Sequence, residues 1–199
     1  EYLNLDDNSA EITKAGVRLD LGGIAKGYAA EEVKKIVEKH GVEHAFVNLG
    51  GNVMVIGDKV DGSPWKMAIQ DPRAGRGNVM AIIDAVDLTI VTSGNYERYF
   101  EEDGELYHHI IDPKTGYPAK NNLLSVSIIS QNSFDADALS TAIYVMGLEK
   151  GMEFIENIDA VDVMFITEEL DVYLSSGLDN IVNINDSDFN LIEGENIVN

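Results

Sequence analysis

The chain has 199 residues and is 45% hydrophobic, which is enough apolar material for the core of one domain. Its formal net charge of −21 at pH 7 opposes binding to nucleic acids and to anionic membrane surfaces, so we expect no nucleic-acid partner. The absence of cysteine excludes disulfides, zinc–thiolate sites and cysteine nucleophiles.

The first long element is a predicted helix that begins behind a two-glycine turn in the stretch Leu19–Ala30, LDLGGIAKGYAA. Gly22 and Gly23 lie just before its N-terminus, where glycines let a ligand approach the backbone and free N–H groups attract anions. Lys26, one turn further, adds a positive charge. A tight turn without a ligand explains the same residues, and the spacings of the P-loop and of the dinucleotide-binding loop are absent. Both interpretations stay open on these residues.

Seven apolar runs after this helix predict β-strands. They are Ala45–Leu49, Asn52–Gly57, Trp65–Gln70, Met80–Ala85, Leu88–Ser93, Tyr107–Asp112 and Leu124–Ile129. The first two flank Gly50 and Gly51, and a two-glycine link between apolar runs predicts a hairpin. In the sixth run, His108 and His109 are adjacent, so their side chains point to opposite faces. A histidine on a strand is more often structural than catalytic, so position alone assigns neither a role.

A second helix is predicted to begin in the stretch DADALSTA, from Asp135, and to run to Met146, with a third helical stretch over Leu148–Ile158. Asp137 and Thr141 are four residues apart, so they share one helix face. A carboxylate and a hydroxyl on one face suit Mg²⁺, which accepts water and phosphate oxygens as its other ligands. The alternative is that the carboxylate only complements the helix dipole and the hydroxyl bonds back to the backbone.

Three further apolar runs, Val161–Thr167, Val172–Ser175 and Ile181–Ile184, predict strands behind these helices. Hairpins that alternate with long helices are typical of an α+β fold with mainly antiparallel sheets and packed helices. No internal repeat or low-complexity linker divides the chain. We therefore expect a single domain over residues 1–199, in which the Asn- and Asp-rich residues 179–199 form a tail.

Five stretches together resemble the ApbE family, the FAD:protein FMN transferases. They are LDLGGIAKGYAA (19–30), FVNLGGN (46–52), VTSGNYERYF (91–100), HHIIDPKTGYPA (108–119) and DADALSTAIYVMG (135–147). They follow the family's order over about residues 14–178. The resemblance implies an ApbE-like fold with on the order of a hundred family residues before this stretch, so we expect the chain to be the C-terminal part of the family domain.

The resemblance implies a magnesium-dependent transfer of FMN from FAD to the hydroxyl of a Thr or Ser in another flavoprotein, with AMP as the leaving group. The metal ligands that it implies are Asp137, Thr141 and the backbone carbonyl of Gly23. Some members carry an acidic residue just before the metal-binding threonine, where this chain has Ser140. The site then has less negative charge, and we expect its metal affinity to differ.

The same resemblance places FAD against Asp20, Lys26 and the backbone of Ile111. The family motif H-I-[IL]-D-P-x-T-G selects His109, and not His108, for proton transfer or for positioning the reacting groups. A base that removes the proton suits an alcohol nucleophile at neutral pH.

The implied acceptor is a flavoprotein, either a subunit of a membrane redox complex or an extracellular flavoprotein domain. The resemblance also leads us to expect the full-length protein in the bacterial cell envelope, exported and lipid-anchored. Two other functions remain open. One is an FAD pyrophosphatase, in which water replaces the acceptor hydroxyl and FMN and AMP are released. The other is a flavin-binding domain without enzymatic activity.

Overall fold

Three α-helices and fourteen β-strands form most of the regular structure of the described residues, 2–75, 77–178 and 180–192, in the computed structural model. The helices are α1 (Ala25–Lys39), α2 (Ser133–Met146) and α3 (Leu148–Glu156). The strands are β1 (Leu3–Asp6), β2 (Ser9–Ile12), β3 (Ala45–Leu49), β4 (Asn52–Ile56), β5 (Trp65–Gln70), β6 (Val79–Ala85), β7 (Thr89–Gly94), β8 (Tyr99–Glu102), β9 (Glu105–His108), β10 (Leu123–Ser130), β11 (Val161–Thr167), β12 (Asp171–Leu174), β13 (Val182–Ile184) and β14 (Asn190–Ile192). No helix within these ranges combines the length and the apolar character needed to cross a membrane.

The largest sheet has seven strands in the order β14-β12-β11-β10-β7-β4-β3. Its neighbouring strands pair antiparallel, except that β12 and β14 pair parallel. A second sheet, β13-β6-β5, is antiparallel throughout, and β1–β2 and β8–β9 are two-stranded hairpins. The structure therefore confirms the α+β class with mainly antiparallel sheets.

The seven-stranded sheet is covered on both of its faces. Helices α2 and α3 bury one face in a cluster that includes Val91, Ile143 and Phe165. The three-stranded sheet covers the other face in a cluster that includes Ile90 and Met164. Consecutive strand residues enter opposite clusters because side chains alternate across a strand. A sheet buried on both faces needs apolar residues on both, which explains the nearly continuous apolar run of β11.

Glycines with positive φ form two of the turns that the sequence predicts. Gly50 and Gly51 have φ of +62° and +97° and join β3 to β4, which is the backbone geometry of a two-residue hairpin. Gly41, with φ of +76°, ends α1, and the N–H of Val42 donates to the carbonyl of Val37 behind it. The hairpin and this helix end are therefore confirmed.

The strand predicted over Tyr107–Asp112 is wrong in its second half. β9 ends at His108, and beyond it only an isolated antiparallel bridge joins Ile111 to Pro118. Pro118 has no N–H to donate, so the ladder cannot continue there.

The described part of the expected tail, residues 180–192, contributes strands to both main sheets, so the prediction of a tail is wrong for it. β13 pairs with β6 and β14 with β12, and Phe189 between them is buried. The guanidinium of Arg73 lies over the Phe189 ring and donates hydrogen bonds to the carboxylates of Asp186 and Asp188. β13 matches the strand predicted over Ile181–Ile184, whereas composition concealed β14 because its two apolar residues are flanked by Asn, Asp and Glu. The rest of the expected tail, residues 179 and 193–199, lies outside the described residues.

Candidate functional site

The first turns of α1 and α2 pack together at Gly27. A Cβ atom at Gly27 would lie 2.2 Å from the carbonyl oxygen of Ser133 and 2.6 Å from the Cβ of Asp137, so only glycine allows this approach. The carboxylate of Glu31 accepts a hydrogen bond from the N–H of Ser133 at 2.6 Å. The side chain of Asn132 accepts two further N–H groups of the first turn of α2. These contacts hold the start of α2 against the start of α1.

Asp137 lies at this contact and is only 3% exposed. Its carboxylate accepts a hydrogen bond from the N–H of Gly27 at 2.7 Å. Among the described residues, no Lys, Arg or His forms a salt bridge with it. A buried carboxylate with a single hydrogen bond and no cationic partner is unfavourable, so this group favours a bound cation.

The glycine turn before α1 contains a backbone carbonyl, that of Gly23, without a helical hydrogen bond among the described residues. The N–H of Tyr28 makes a regular helical bond to the carbonyl of Ile24. A continuous helix would likewise direct the N–H of Gly27 to the carbonyl of Gly23, but this N–H binds Asp137 instead. Within the described ranges no backbone N–H donates to the Gly23 carbonyl. This oxygen is therefore available to a ligand.

The hydroxyl of Thr141 lies one helical turn after Asp137, on the same face of α2. It is 3.2 Å from the hydroxyl of Ser93 on β7, which is 3.0 Å from the hydroxyl of Ser140. Ser140 donates to the backbone carbonyl of Asp137 at 3.0 Å and is buried. Ser140 therefore supports the helix backbone and the Ser93 side chain.

Oxygen atoms are the metal ligands that this region offers. The described part of the chain contains no group of three or more His, Cys, Asp or Glu side chains arranged to hold a metal. One carboxylate, one hydroxyl and one backbone carbonyl suit Mg²⁺ when water and phosphate supply its remaining ligands. Asp137, Thr141 and Gly23 therefore fit a magnesium site with few protein ligands.

Asp20 and Lys26 lie on either side of the glycine turn. The carboxylate of Asp20 accepts a hydrogen bond from the N–H of Gly22 at 2.7 Å and so holds the turn. Lys26, in the first turn of α1, is partly buried and makes no salt bridge among the residues that the structure describes. Its ammonium group is available to an anionic ligand, and contact of both residues with FAD stays a prediction.

His108 faces the core and is 7% exposed. Its Nε2 donates to the carbonyl of Ala119 at 3.0 Å, and its Nδ1 accepts from the N–H of Ile110 at 3.3 Å. The ring also packs edge-on against Tyr144 of α2, with 5.7 Å between ring centroids. Since one nitrogen donates and the other accepts, His108 is held as a neutral, structural ring.

His109 faces the opposite side and is exposed, so the sequence prediction of opposite facing is confirmed. Its Nδ1 lies 3.2 Å from the carbonyl oxygen of Arg98. A carbonyl only accepts, so Nδ1 carries the proton and Nε2 keeps a lone pair. Ile111 lies on the same side, 46% exposed, and among the described residues its N–H and carbonyl make no backbone hydrogen bond. The predicted roles of His109 and Ile111 stay predictions.

We expect acid to destabilise the protein partly through His108, because its burial lowers the pKa of the ring. The unfolded chain takes up this proton near pH 6.5, before the folded chain does. The contribution of the neutral His108 ring to the free energy of unfolding is therefore complete above about pH 6.5. It is lost as the pH falls towards the lower pKa of the folded state. His108→Gln should lose less unfolding free energy between pH 7.5 and 5.5 than the parent, as measured by urea denaturation. Equal losses in His108→Gln and the parent would contradict the assignment.

Sequence reasoning did not single out Gly27, Glu31 or Ser93. Gly27 carries a usable signal, because glycine inside a predicted helix lowers helix stability and indicates close packing. Glu31 and Ser93 carry none, since their partners Ser133 and Thr141 lie 102 and 48 residues away in the sequence.

The ApbE family profile matches residues 1–165. An FAD:protein FMN transferase of Treponema pallidum is 40% identical over 191 residues, which cover 92% of this chain and 52% of that protein. Another, of Klebsiella pneumoniae, is 39% identical over 174 residues, which cover 86% of this chain and 53% of that protein. The chain therefore spans about half the length of these curated relatives.

Solved structures agree with the sequence relatives. The ApbE protein of Thermotoga maritima superposes with a TM-score of 0.80 at 38% identity, covering 89% of this chain and 58% of that one. The flavin transferase ApbE of Vibrio cholerae superposes with a TM-score of 0.79 at 33% identity, covering 90% of this chain and 58% of that one.

Proposed function

Because the chain belongs to the ApbE family, we propose that it carries the magnesium- and FAD-binding part of an FAD:protein FMN transferase. The reaction moves FMN from FAD to a Thr or Ser hydroxyl of an acceptor flavoprotein. The hydroxyl oxygen forms a bond to the FMN phosphorus, the bond from this phosphorus to the bridging pyrophosphate oxygen breaks, and AMP leaves with that oxygen.

The observation that carries the proposal is the carboxylate of Asp137 at the contact of α1 and α2, which forms no salt bridge among the described residues. It is buried and accepts the N–H of Gly27, and the carbonyl of Gly23 accepts no backbone hydrogen bond among the described residues. Together with Thr141, these oxygens would hold Mg²⁺. When bound, the ion would neutralise the negative charge that grows on the pyrophosphate. Lys26, in the first turn of α1, would add a second positive charge.

His109 supplies the proposed proton acceptor. Its Nδ1–H donates to the carbonyl of Arg98, which fixes the tautomer and leaves the lone pair of Nε2 for the proton of the acceptor hydroxyl. The neighbouring His108 ring is anchored to Tyr144, three residues beyond Thr141 on α2. This contact attaches the segment that carries His109 to the helix that carries the proposed metal ligands.

The function is tested by incubating the chain with FAD, Mg²⁺ and a candidate acceptor domain. We expect flavin fluorescence on the acceptor band in a denaturing gel and an equal amount of released AMP by chromatography. An acceptor in which the target Thr is replaced by Val serves as the control and should stay unlabelled. Omission of Mg²⁺ should prevent both products.

Other outcomes identify the two alternative functions. Free FMN and AMP without labelled acceptor would identify a pyrophosphatase. Binding of FAD without Mg²⁺ and without AMP release would identify a flavin carrier. Either result would overturn the proposed transfer.

We extend the proposal to the acceptor protein and to the cellular location. A subunit of a membrane redox complex or an extracellular flavoprotein domain would present the hydroxyl, and the full-length protein would be an exported, lipid-anchored protein of the bacterial cell envelope. The support is the family resemblance, together with the bacterial origin of the relatives compared above.

Lys26→Ala should weaken FAD binding more than it disturbs folding, because an exposed or half-exposed Lys without an ion pair contributes little to stability. We expect a severalfold to tenfold rise in the dissociation constant by quenching of flavin fluorescence, with an unchanged unfolding midpoint. Lys34→Ala, on the same helix but two turns further, is the matched control. Equal FAD affinity in Lys26→Ala and parent would refute the role of Lys26.

A further inference from the structure

We propose that Ser93 is a positioning residue that directs a lone pair of the Thr141 hydroxyl towards the magnesium ion. The inference rests on the proposed function, since it presupposes a cation held by Asp137 and Thr141. Ser93 lies on β7 and reaches α2 across the packed face of the sheet.

The direction of each hydrogen bond in this group follows from one carbonyl. The backbone carbonyl of Asp137 can only accept, so Ser140 donates its single hydroxyl proton there. Ser140 then accepts from Ser93, whose only proton is used in that bond at 3.0 Å. The remaining contact, 3.2 Å between Ser93 and Thr141, therefore requires Thr141 to be the donor.

This ordering has a direct consequence for a metal ligand. A hydroxyl that binds a cation must present oxygen, because a proton turned towards the cation is repelled by it. With its proton donated to Ser93, Thr141 keeps both lone pairs for other partners. Partners that orient a ligand in this way commonly change metal affinity by 10- to 100-fold when removed.

One end of the arrangement, at Ser140, is protected from competing water. Ser140 is almost fully buried, and Ser93 and Thr141 are partly buried. The bond to Asp137 is made with the backbone, so the orientation of the three hydroxyls persists in the absence of a ligand. The site is thus preorganised before the cation binds.

The test is the affinity of the full chain for Mn²⁺ alone, a substitute for Mg²⁺, measured from the electron paramagnetic resonance signal of the free ion. Ser93→Ala should weaken binding by about tenfold. Ser140→Ala should weaken it less, because Thr141 can still donate to Ser93. Thermal unfolding verifies that each variant is folded.

A matched control lies on the neighbouring strand. Ser127 is buried, and its hydroxyl lies 2.7 Å from the hydroxyl of Thr92. This pair is separate from the hydrogen-bonded hydroxyls of Ser93, Ser140 and Thr141. Ser127→Ala removes the same atoms and the same type of bond as Ser93→Ala. It should bind Mn²⁺ as the parent does.

The outcomes separate this inference from the metal site itself. If Asp137→Ala loses Mn²⁺ binding while Ser93→Ala keeps the parental affinity, the role of Ser93 is refuted and the metal site stands. A loss in Ser93→Ala that Ser127→Ala matches would indicate general loosening of the sheet and would overturn the inference. If the parent does not bind Mn²⁺, or if Asp137→Ala binds it equally well, the metal site fails and the inference fails with it.

Discussion

Asp137→Ala should abolish magnesium-dependent AMP release, with a loss of about a thousandfold or more in turnover. The carboxylate is the one charged group among the three proposed metal ligands, and none of the salt bridges among the described residues involves it. Asp137→Asn should be almost as inactive. The amide oxygen of Asn can still accept the N–H of Gly27, so this variant removes the charge and leaves the helix contact intact.

Stability provides a second measurement that does not depend on turnover. The parent should gain unfolding temperature as Mg²⁺ is added, because an ion that binds only the folded state stabilises it. Asp137→Asn should show no such gain, and without Mg²⁺ it should be at least as stable as the parent, since it removes an unpaired buried charge. Asp135→Asn is the matched control, because Asp135 is an exposed carboxylate in the same first turn of α2. Full magnesium-dependent turnover in Asp137→Asn would show that the metal assignment is wrong.

His109→Ala should lower turnover by about a hundredfold, the usual scale for a removed general base. FAD affinity should change much less, because a base acts mainly in the transition state. The structure strengthens the reason for choosing this residue: its Nδ1 faces the carbonyl of Arg98, so Nε2 is the nitrogen available to take a proton. His109→Gln should be equally slow, since an amide offers no basic nitrogen.

The control for His109 cannot be its neighbour. The buried ring of His108 binds Ala119 and Ile110 and packs on Tyr144, so we expect His108→Ala to lose stability. His40→Ala is the suitable control, because His40 is exposed at the end of α1. A loss of FAD affinity without a loss of turnover at saturation would make His109 a binding residue.

The fold class was predictable because most of its signals are local. The hairpin at Gly50 and Gly51 needs only two residues that accept positive φ between apolar runs. The helix with Asp137 and Thr141 on one face follows from the 3.6-residue period. The opposite facing of His108 and His109 follows from the two-residue period of an extended chain. Local rules failed at β14, a short strand with no apolar run of its own that depends on pairing with β12.

Neighbours within a few positions along the chain set which residues share a face and where helices and turns begin, so these features can be predicted from the sequence. Which groups meet at the site depends on the packing of distant elements. Gly27 and Asp137 are 110 residues apart, and their contact depends on a close approach of α1 and α2 that only the absence of a Cβ allows. The same packing turns the N–H of Gly27 away from Gly23 and sets Ser93 of β7 against Thr141 of α2. No periodic pattern encodes such pairings, because they arise from the shape and hydrogen-bonding fit of whole elements.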